Sequence, residues 1–111
     1  MRVDLTLRIA LIASTALFGA ACAWVDLTPA GESVRVGTMA QAMHCEKLGA
    51  THAKTSTTVG IFSRSAKKID EELEFLARNE AAEMGGNTIV AQGPTSSEGR
   101  RSYDVFRCHG S

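Results

Sequence analysis

The chain has 111 residues and a mass of 11.8 kDa, which is enough for one domain. Its 12 Lys and Arg residues balance 12 Asp and Glu residues, so the formal net charge is zero. This balance argues against a nucleic-acid partner held by phosphate neutralisation. A hydrophobic fraction of 44% argues against wholesale disorder. We therefore expect one small folded domain with no nucleic-acid partner.

The first 21 residues have the pattern of a secretory leader. Arg2 and Arg8 precede an uncharged apolar stretch that ends in small residues. A basic start, a short apolar centre and small residues at the end are typical of an export signal. We predict that residues 1–21 are a signal peptide and that residues 22–111 form a single exported domain.

The residue that follows this leader indicates the kind of signal. The run Leu17-Phe18-Gly19-Ala20-Ala21-Cys22 resembles a bacterial lipobox, although Gly19 stands where Leu or Val is usual. In a lipobox the cysteine is diacylated on sulfur, the chain is cut before it, and the new amino group is acylated. Each buried methylene contributes about 0.8 kcal/mol, so several acyl chains give lasting membrane attachment. The resemblance implies lipidation at Cys22.

Two other interpretations of the leader remain open. An ordinary signal peptide could be cut near Ala21 and leave a free thiol. Alternatively, residues 9–25 could stay as a membrane anchor, at the short limit of about 17 residues for a span. Ala23 is the residue after the cysteine. In bacterial lipoproteins that are held back from the outer membrane, this position is Asp, so Ala23 favours sorting to the outer membrane. We expect a lipid-anchored protein on the periplasmic face of the outer membrane.

Apolar residues follow the cysteine without a long polar tether. They are Trp24, Val25 and Leu27, and we expect them to pack on the domain. Even fully extended, residues 23–32 would reach only about 35 Å. The domain should therefore lie close to its membrane.

Two cysteines remain once Cys22 is lipidated. In an exported chain, Cys45 and Cys108 indicate one disulfide. Closing a loop of this size contributes about 4 kcal/mol in the chain-entropy model. A metal site with His44, Cys45, Cys108 and His109 as ligands is the alternative. Neighbouring side chains on a strand point to opposite faces, which disfavours a single tetrahedral site.

Local patterns predict four strands and one long helix. Alternation and β-propensity favour strands, and apolar residues at helical spacing favour the helix. The predicted strands are Ser33–Thr38, Leu48–Val59, Thr88–Gln92 and Tyr103–Cys108, with the helix at Ser65–Met84 between the second and third. This order predicts an α+β fold with a small, mainly antiparallel sheet and the helix packed on one face. Cys45 and Cys108 would then join the start of the second strand to the end of the fourth.

The long helix carries clear signals at both ends. Ser65 is a suitable N-cap, and Gly85 is suited to a left-handed C-terminal cap. The face predicted to be buried consists of Ile69, Leu73, Leu76, Ala77, Ala81 and Met84. The opposite face carries Glu71, Glu72 and Glu74, which we interpret as solvated rather than as catalytic carboxylates. Glu74 and Arg78 have the spacing and order of a favourable pair.

The sequence carries no strong catalytic pattern. Its serines do not lie in a nucleophile elbow. Gly85-Gly86 is followed by neither Lys nor a helix start, so it does not resemble a phosphate loop. Arg64, Arg78 and Asn79 are candidates for a partner surface, although scattered surface polar residues are the ordinary interpretation. We expect a protein that is not an enzyme and needs no cofactor.

Several motifs in order resemble a family of small proteobacterial lipoproteins of unknown function. The motifs are Cys22-x-Trp24-Val25-x-Leu27-Thr28-Pro29-x-Gly31, Cys45-x-Lys47-Leu48-Gly49, and Leu76-Ala77-Arg78-Asn79-Glu80-Ala81-Ala82-x-x-Gly85-Gly86. The family is distantly similar to the lipoprotein sensor of the Rcs envelope-stress phosphorelay, a small disulfide-bonded α+β domain. By analogy, the resemblance implies envelope sensing, or interaction with an envelope protein. That sensor has a long linker, which this chain lacks.

Overall fold

The computed structural model describes residues 26–109. The predicted signal peptide at residues 1–21, the predicted lipidation site Cys22, and Trp24 and Val25 lie outside the described residues. The described part contains short helices α1 and α2, a long helix α3, and strands β1 to β6. In chain order the elements are α1 (Pro29–Glu32), β1 (Arg35–Val36), α2 (Met39–Ala42), β2 (Glu46–Lys54), β3 (Thr58–Val59), β4 (Phe62–Ser63), α3 (Ala66–Glu83), β5 (Thr88–Ala91) and β6 (Arg100–Arg107).

Four of the strands form a mixed sheet in the order β1-β5-β6-β2. β6 runs antiparallel to both β5 and β2, whereas β1 runs parallel to β5. Helix α3 packs on one face of this sheet, which confirms the predicted α+β fold. The predicted second strand, Leu48–Val59, divides in two: β2 ends at Lys54, and β3 pairs with β4 in a separate hairpin.

The first strand is shorter than predicted. Val34 is buried, as expected, but Val36 is 47% exposed. The two side chains therefore do not both face the core. Only Arg35 and Val36 pair with β5, opposite Thr88 and Ile89. The short pairing leaves Val36 at the open edge of the sheet.

Helix α3 begins and ends where its local signals predict. The Ser65 side chain accepts a hydrogen bond from the backbone N–H of Lys68 at 3.2 Å, as an N-cap does. Gly85 follows the helix with φ of +83°, a conformation that favours glycine. Among residues 26–109, no helix has both the length and the apolar character needed to cross a bilayer.

The main core lies between α3 and the sheet. Tyr103 and Val105 of β6 face the helix together with Ile89 of β5, and all three are nearly inaccessible to solvent. The small residues Ala77 and Ala81 allow α3 to approach these strands closely. The buried helix face matches the prediction, with Leu76 and Met84 at its margin. The cluster consists of Val34, Ala53, Ile69, Leu73, Ala77, Ala81, Ile89, Tyr103 and Val105.

A smaller cluster lies on the other face of the sheet, where α2 covers one end. It consists of Ala42, Val90 and Phe106, and the cysteines Cys45 and Cys108 pack against it. The two cysteines form a disulfide across 63 residues of chain, with their Cα atoms 4.6 Å apart. The disulfide joins the chain just before β2 to the chain just after β6. The predicted cross-link is confirmed.

Candidate functional site

The N-terminal segment is fastened to the C-terminal half of α3 by Asn79. The Asn79 Oδ1 atom accepts hydrogen bonds from the backbone N–H of Thr28 at 2.9 Å and from its hydroxyl at 3.1 Å. The Asn79 amide group donates to the carbonyl oxygen of Asp26 at 2.9 Å. A Cβ at Gly31 would collide with Asn79 Oδ1, so glycine permits this close approach. Thr28 also caps α1 by accepting from the N–H of Gly31 at 3.0 Å.

Arg78 strengthens the same attachment from the adjacent position of the helix. Its guanidinium donates to the carbonyl oxygens of Gly31 at 3.2 Å and Glu32 at 3.1 Å, at the C-terminal end of α1. Cations are favoured at helix C-termini because the carbonyl groups there carry partial negative charge. Arg78 is thus directed towards α1, and no ion pair within residues 26–109 joins it to Glu74.

An ion pair fixes the base of the β3–β4 hairpin to α3. Arg64 contacts both carboxylate oxygens of Glu72, with Nη2–Oε1 at 2.6 Å and Nη1–Oε2 at 2.9 Å. The Thr55 hydroxyl donates to Oε2 of the same carboxylate at 2.6 Å. Arg64 also donates to the carbonyl oxygen of Ser56 at 3.0 Å. Glu72 is therefore a structural anchor, and its prediction as part of a solvated helix face was wrong.

The electrostatics of this pair favour its charged form. The hydrogen bond from Arg64 is the main cause that lowers the pKa of Glu72 below its ordinary value of 4.5, and burial opposes this shift. The hydrogen bond to Glu72 in turn raises the pKa of Arg64. The two side chains are only 11% and 13% exposed, so water screens the pair less than an ordinary surface pair. The hairpin is attached to α3 by a charge-assisted, bidentate contact.

A groove of about 580 Å³ lies beside this hairpin. Val59 and Phe62 of the hairpin and Phe75 of α3 supply its apolar lining. Asp26, the first described residue, lines the same groove. The N-terminal segment thus runs from Thr28 beside Asn79 to Asp26 in this groove. The groove and Asn79 lie along one face of α3, so the N-terminal segment follows this face of the helix.

A second cavity, of about 380 Å³, is bordered by Tyr103 and Arg101. The Tyr103 side chain is buried, and its hydroxyl has no hydrogen-bond partner among the described residues. The Arg101 guanidinium carbon lies 5.6 Å from the centre of the Tyr103 ring. Burial is the main cause that raises the pKa of Tyr103 above its ordinary value. This phenol is therefore neutral at physiological pH.

The alternative metal site does not form in the described structure. The sulfur atoms of Cys45 and Cys108 are bonded to each other, so neither is available as a thiolate ligand. His44 and His109 are both exposed beside the disulfide. No group of three or more His, Cys, Asp or Glu residues that could hold a metal ion occurs within residues 26–109.

The sheet face that carries no long helix is lined by paired polar side chains. His52 Nδ1 lies 2.7 Å from the hydroxyl of Ser102, its cross-strand neighbour. Asp104 accepts from Gln92 at 2.8 Å and forms an ion pair with Lys47 at 3.3 Å. Cross-strand pairs of this kind stabilise a solvated sheet face. His52 is an exposed histidine, as the sequence indicated.

The structure separates the predicted functional residues into two groups. Cys45 and Cys108 lie at one end of β2 and β6, whereas Arg64 lies at the base of the hairpin, beyond the other end of β2. Arg78 and Asn79, predicted as a possible partner surface, instead hold the N-terminal segment. The sequence interpretation missed the hairpin itself. The pair Gly60-Ile61 between Val59 and Phe62 is the signal of a two-residue turn that could have found it.

These features define a small disulfide-linked α+β domain whose N-terminal segment is fastened along its long helix. The chain belongs to the family described as a domain of unknown function (DUF4156), whose model matches residues 25–108. The match spans all the described strands and helices. No curated protein and no solved structure matches the chain.

Proposed function

We propose that this protein is an outer-membrane lipoprotein, anchored through acylated Cys22, with its domain in the periplasm. The lipobox-like run before Cys22 supports the anchor, and Ala23 supports outer-membrane sorting. The disulfide between Cys45 and Cys108 supports the compartment, because disulfides form and persist in oxidising spaces. The domain acts by binding an envelope protein or by reporting the state of the envelope.

The fastening of the N-terminal segment is the observation that carries this proposal. Asn79 and Arg78 hold residues 26–32 against α3. Cys22 and Asp26 are four positions apart, so at most about 14 Å separates their Cα atoms. An acyl group on Cys22 therefore places the folded domain directly at the bilayer. A partner that this domain binds would be held close to the same membrane.

The roles of the polar side chains support a non-enzymatic function. Glu72 and Arg64 join the hairpin to α3, and Asn79 holds the N-terminal segment. Each of these groups is committed to a contact between elements of the fold. We propose that the domain presents a rigid surface rather than a reactive group. An envelope-stress sensing role, as the distant likeness to the Rcs sensor suggests, is one form of this function.

The experiment compares the natural chain with Cys22→Ser in a Gram-negative host, each with a C-terminal tag. The natural chain is expected in the outer-membrane fraction, and the variant as uncleaved precursor in the inner membrane. An inhibitor of lipoprotein signal peptidase should convert the natural chain to the precursor form. Unchanged outer-membrane association of Cys22→Ser would contradict the anchor.

Crosslinking in intact cells then tests the interaction. A membrane-permeable crosslinker should join the natural chain to a discrete envelope protein that copurifies with the tag. The control is the same domain exported with an ordinary cleavable signal, which lacks the lipid. Loss of the crosslink in that control supports binding at the membrane, and absence of any discrete product with the natural chain contradicts an interaction module.

A further inference from the structure

The β3–β4 hairpin ends in three exposed apolar side chains. Val59 is 54% exposed, Ile61 is 92% exposed and Phe62 is 73% exposed. Together with Gly60, they form a continuous stretch, here called the apolar tip (residues 59–62). Single exposed apolar residues are ordinary, but a contiguous protruding group marks a surface that contacts a protein or a membrane.

The turn at the apolar tip places the most exposed side chain at its end. Val59 pairs with Phe62, so Gly60 and Ile61 form a two-residue loop. Gly60 has φ of +61°, and no residue other than glycine has positive φ in the described chain. This combination is that of a type II′ turn, which requires glycine only at its first central position. The second position commonly takes polar residues, yet here it holds Ile61.

The hairpin is held in place at its base. The backbone N–H of Arg64 donates to the carbonyl oxygen of Thr57 at 2.8 Å. The Arg64 guanidinium binds Glu72 of α3 and the carbonyl oxygen of Ser56. These contacts order the two ends of the hairpin on the helix. The apolar tip therefore projects from a fixed base.

The N-terminal segment and the apolar tip border one groove along the same face of α3. Asp26 lines the groove that Val59 and Phe62 also line. Since Cys22 is within about 14 Å of Asp26, a lipid on Cys22 can enter a bilayer that lies against this face of the molecule. This step rests on the proposed function. The disulfide lies at the opposite end of β2, which is nine residues or roughly 26 Å long.

Lysine side chains near the hairpin can meet the phosphates of a lipid surface. Arg64 is ion-paired with Glu72, and Lys47 is ion-paired with Asp104 at the disulfide end of β2, so the lysines that remain near the hairpin are Lys54, Lys67 and Lys68. Lys67 and Lys68 are exposed in the first turn of α3, where the helix dipole disfavours cations. Contact with lipid phosphates would compensate for this local cost. Asp26 and Glu71 lie in the groove behind the apolar tip.

We propose that the apolar tip inserts into the membrane interface beside the lipid on Cys22, as a second contact between the domain and the bilayer. Ile61 and Phe62 enter the region between headgroups and acyl chains, and Lys67 and Lys68 face the phosphates. Two contacts fix the orientation of the domain, whereas a single lipid leaves it free to rotate. The disulfide end and its exposed histidines then point away from the membrane.

Tryptophan fluorescence in vesicles tests this orientation. Trp24 is the only tryptophan, so Trp24→Phe provides a background without signal. Ile61→Trp places a reporter at the apolar tip. Met43→Trp is the matched control, because Met43 is 70% exposed and lies near the disulfide at the other end of the fold. Each full chain is acylated in cells, purified and reconstituted in vesicles of phosphatidylethanolamine and phosphatidylglycerol that contain lipids with a quencher near the headgroup.

The reporter at position 61 should shift to shorter wavelength in vesicles and be quenched several-fold more than the reporter at position 43. Equal quenching at the two positions would overturn the proposal. A blue-shifted reporter at position 61 without vesicles would mean that residues 22–25 or a second copy cover the apolar tip, and would also overturn it.

The same samples separate this proposal from the anchor itself. Intact mass shows whether Cys22 carries acyl groups when the natural leader is used. If it does not, the fluorescence experiment is repeated with the leader of an established outer-membrane lipoprotein in place of residues 1–21. The lipid is then supplied by a different leader, so the fluorescence result tests insertion of the apolar tip even if the natural leader does not direct acylation of Cys22.

Discussion

Asn79 of α3 binds Thr28 twice, through the backbone N–H at 2.9 Å and through the hydroxyl at 3.1 Å. The same side chain reaches the carbonyl oxygen of Asp26. One residue in the C-terminal half of α3 thereby fixes the path of residues 26–28. The position of the domain relative to the proposed lipid anchor would depend on this contact.

Replacing Asn79 with Ala should release the N-terminal segment. Three hydrogen bonds are lost from a partly buried position, so we expect the free energy of unfolding to fall by about 1–2 kcal/mol. Hydrogen exchange should accelerate in residues 26–34 more than in β5 and β6. Glu80→Ala, at the exposed neighbouring position, is the control. Equal protection of residues 26–34 in the two variants would contradict this role.

Removal of the disulfide should destabilise the domain strongly. Cys45→Ala or Cys108→Ala should lower the free energy of unfolding by about 2–5 kcal/mol, since the cross-link constrains a 63-residue loop. Thermal unfolding of each single variant, of the double variant and of the reduced natural protein measures this. All four should agree closely, because each lacks the same bond. A melting temperature that does not change on reduction would show that the bond contributes nothing.

The Glu72 carboxylate should make stability depend on pH in the acid range. Its pKa is lowered in the folded state, so the unfolded state binds the proton more tightly. The stabilisation that this carboxylate contributes is complete above pH 4.5, its ordinary pKa. It is lost as the pH falls through the lower pKa of the folded state. Urea unfolding between neutral and acid pH should show a steeper loss for the natural protein than for Glu72→Gln. Glu71→Gln on the same helix is the matched control, and identical slopes for all three proteins would refute the anchor role.

The buried hydroxyl of Tyr103 should cost stability rather than supply it. Because it has no hydrogen-bond partner among the described residues, Tyr103→Phe removes an unsatisfied polar group. We expect the free energy of unfolding to stay equal or to rise by about 1 kcal/mol. Tyr103→Ala should instead lose about 3–5 kcal/mol, since the ring fills the core. A clear loss of stability in Tyr103→Phe would show that the hydroxyl has a partner.

The parts of the fold that depend on local signals were predictable. Helix α3 was placed to within a residue at each end because Ser65 and Gly85 act on their own backbone neighbourhood. The disulfide followed from the number of cysteines in a chain that the sequence predicts to be exported. The apolar residues of α3 recur at helical spacing on one face, and this spacing also predicted which face is buried.

The parts that depend on distant contacts were not predictable. The Thr-rich run after Lys54 favours a continuous strand, but Thr55 instead bonds to Glu72 and to the turn at Gly99. The sequence pattern placed Glu72 on a solvated helix face. It gave no sign that the hairpin positions Arg64 to bind this carboxylate. The parallel pairing of Arg35–Val36 with β5 likewise has no local signature.

Mass spectrometry of the N-terminal peptide of the protein, extracted from bacterial membranes, tests the account most directly. The account predicts a peptide that begins at Cys22 and carries the mass of a diacylglycerol and a third acyl chain. A peptide that retains residues 1–21, or one in which position 22 bears a free thiol, would contradict the membrane anchor on which the proposed function depends.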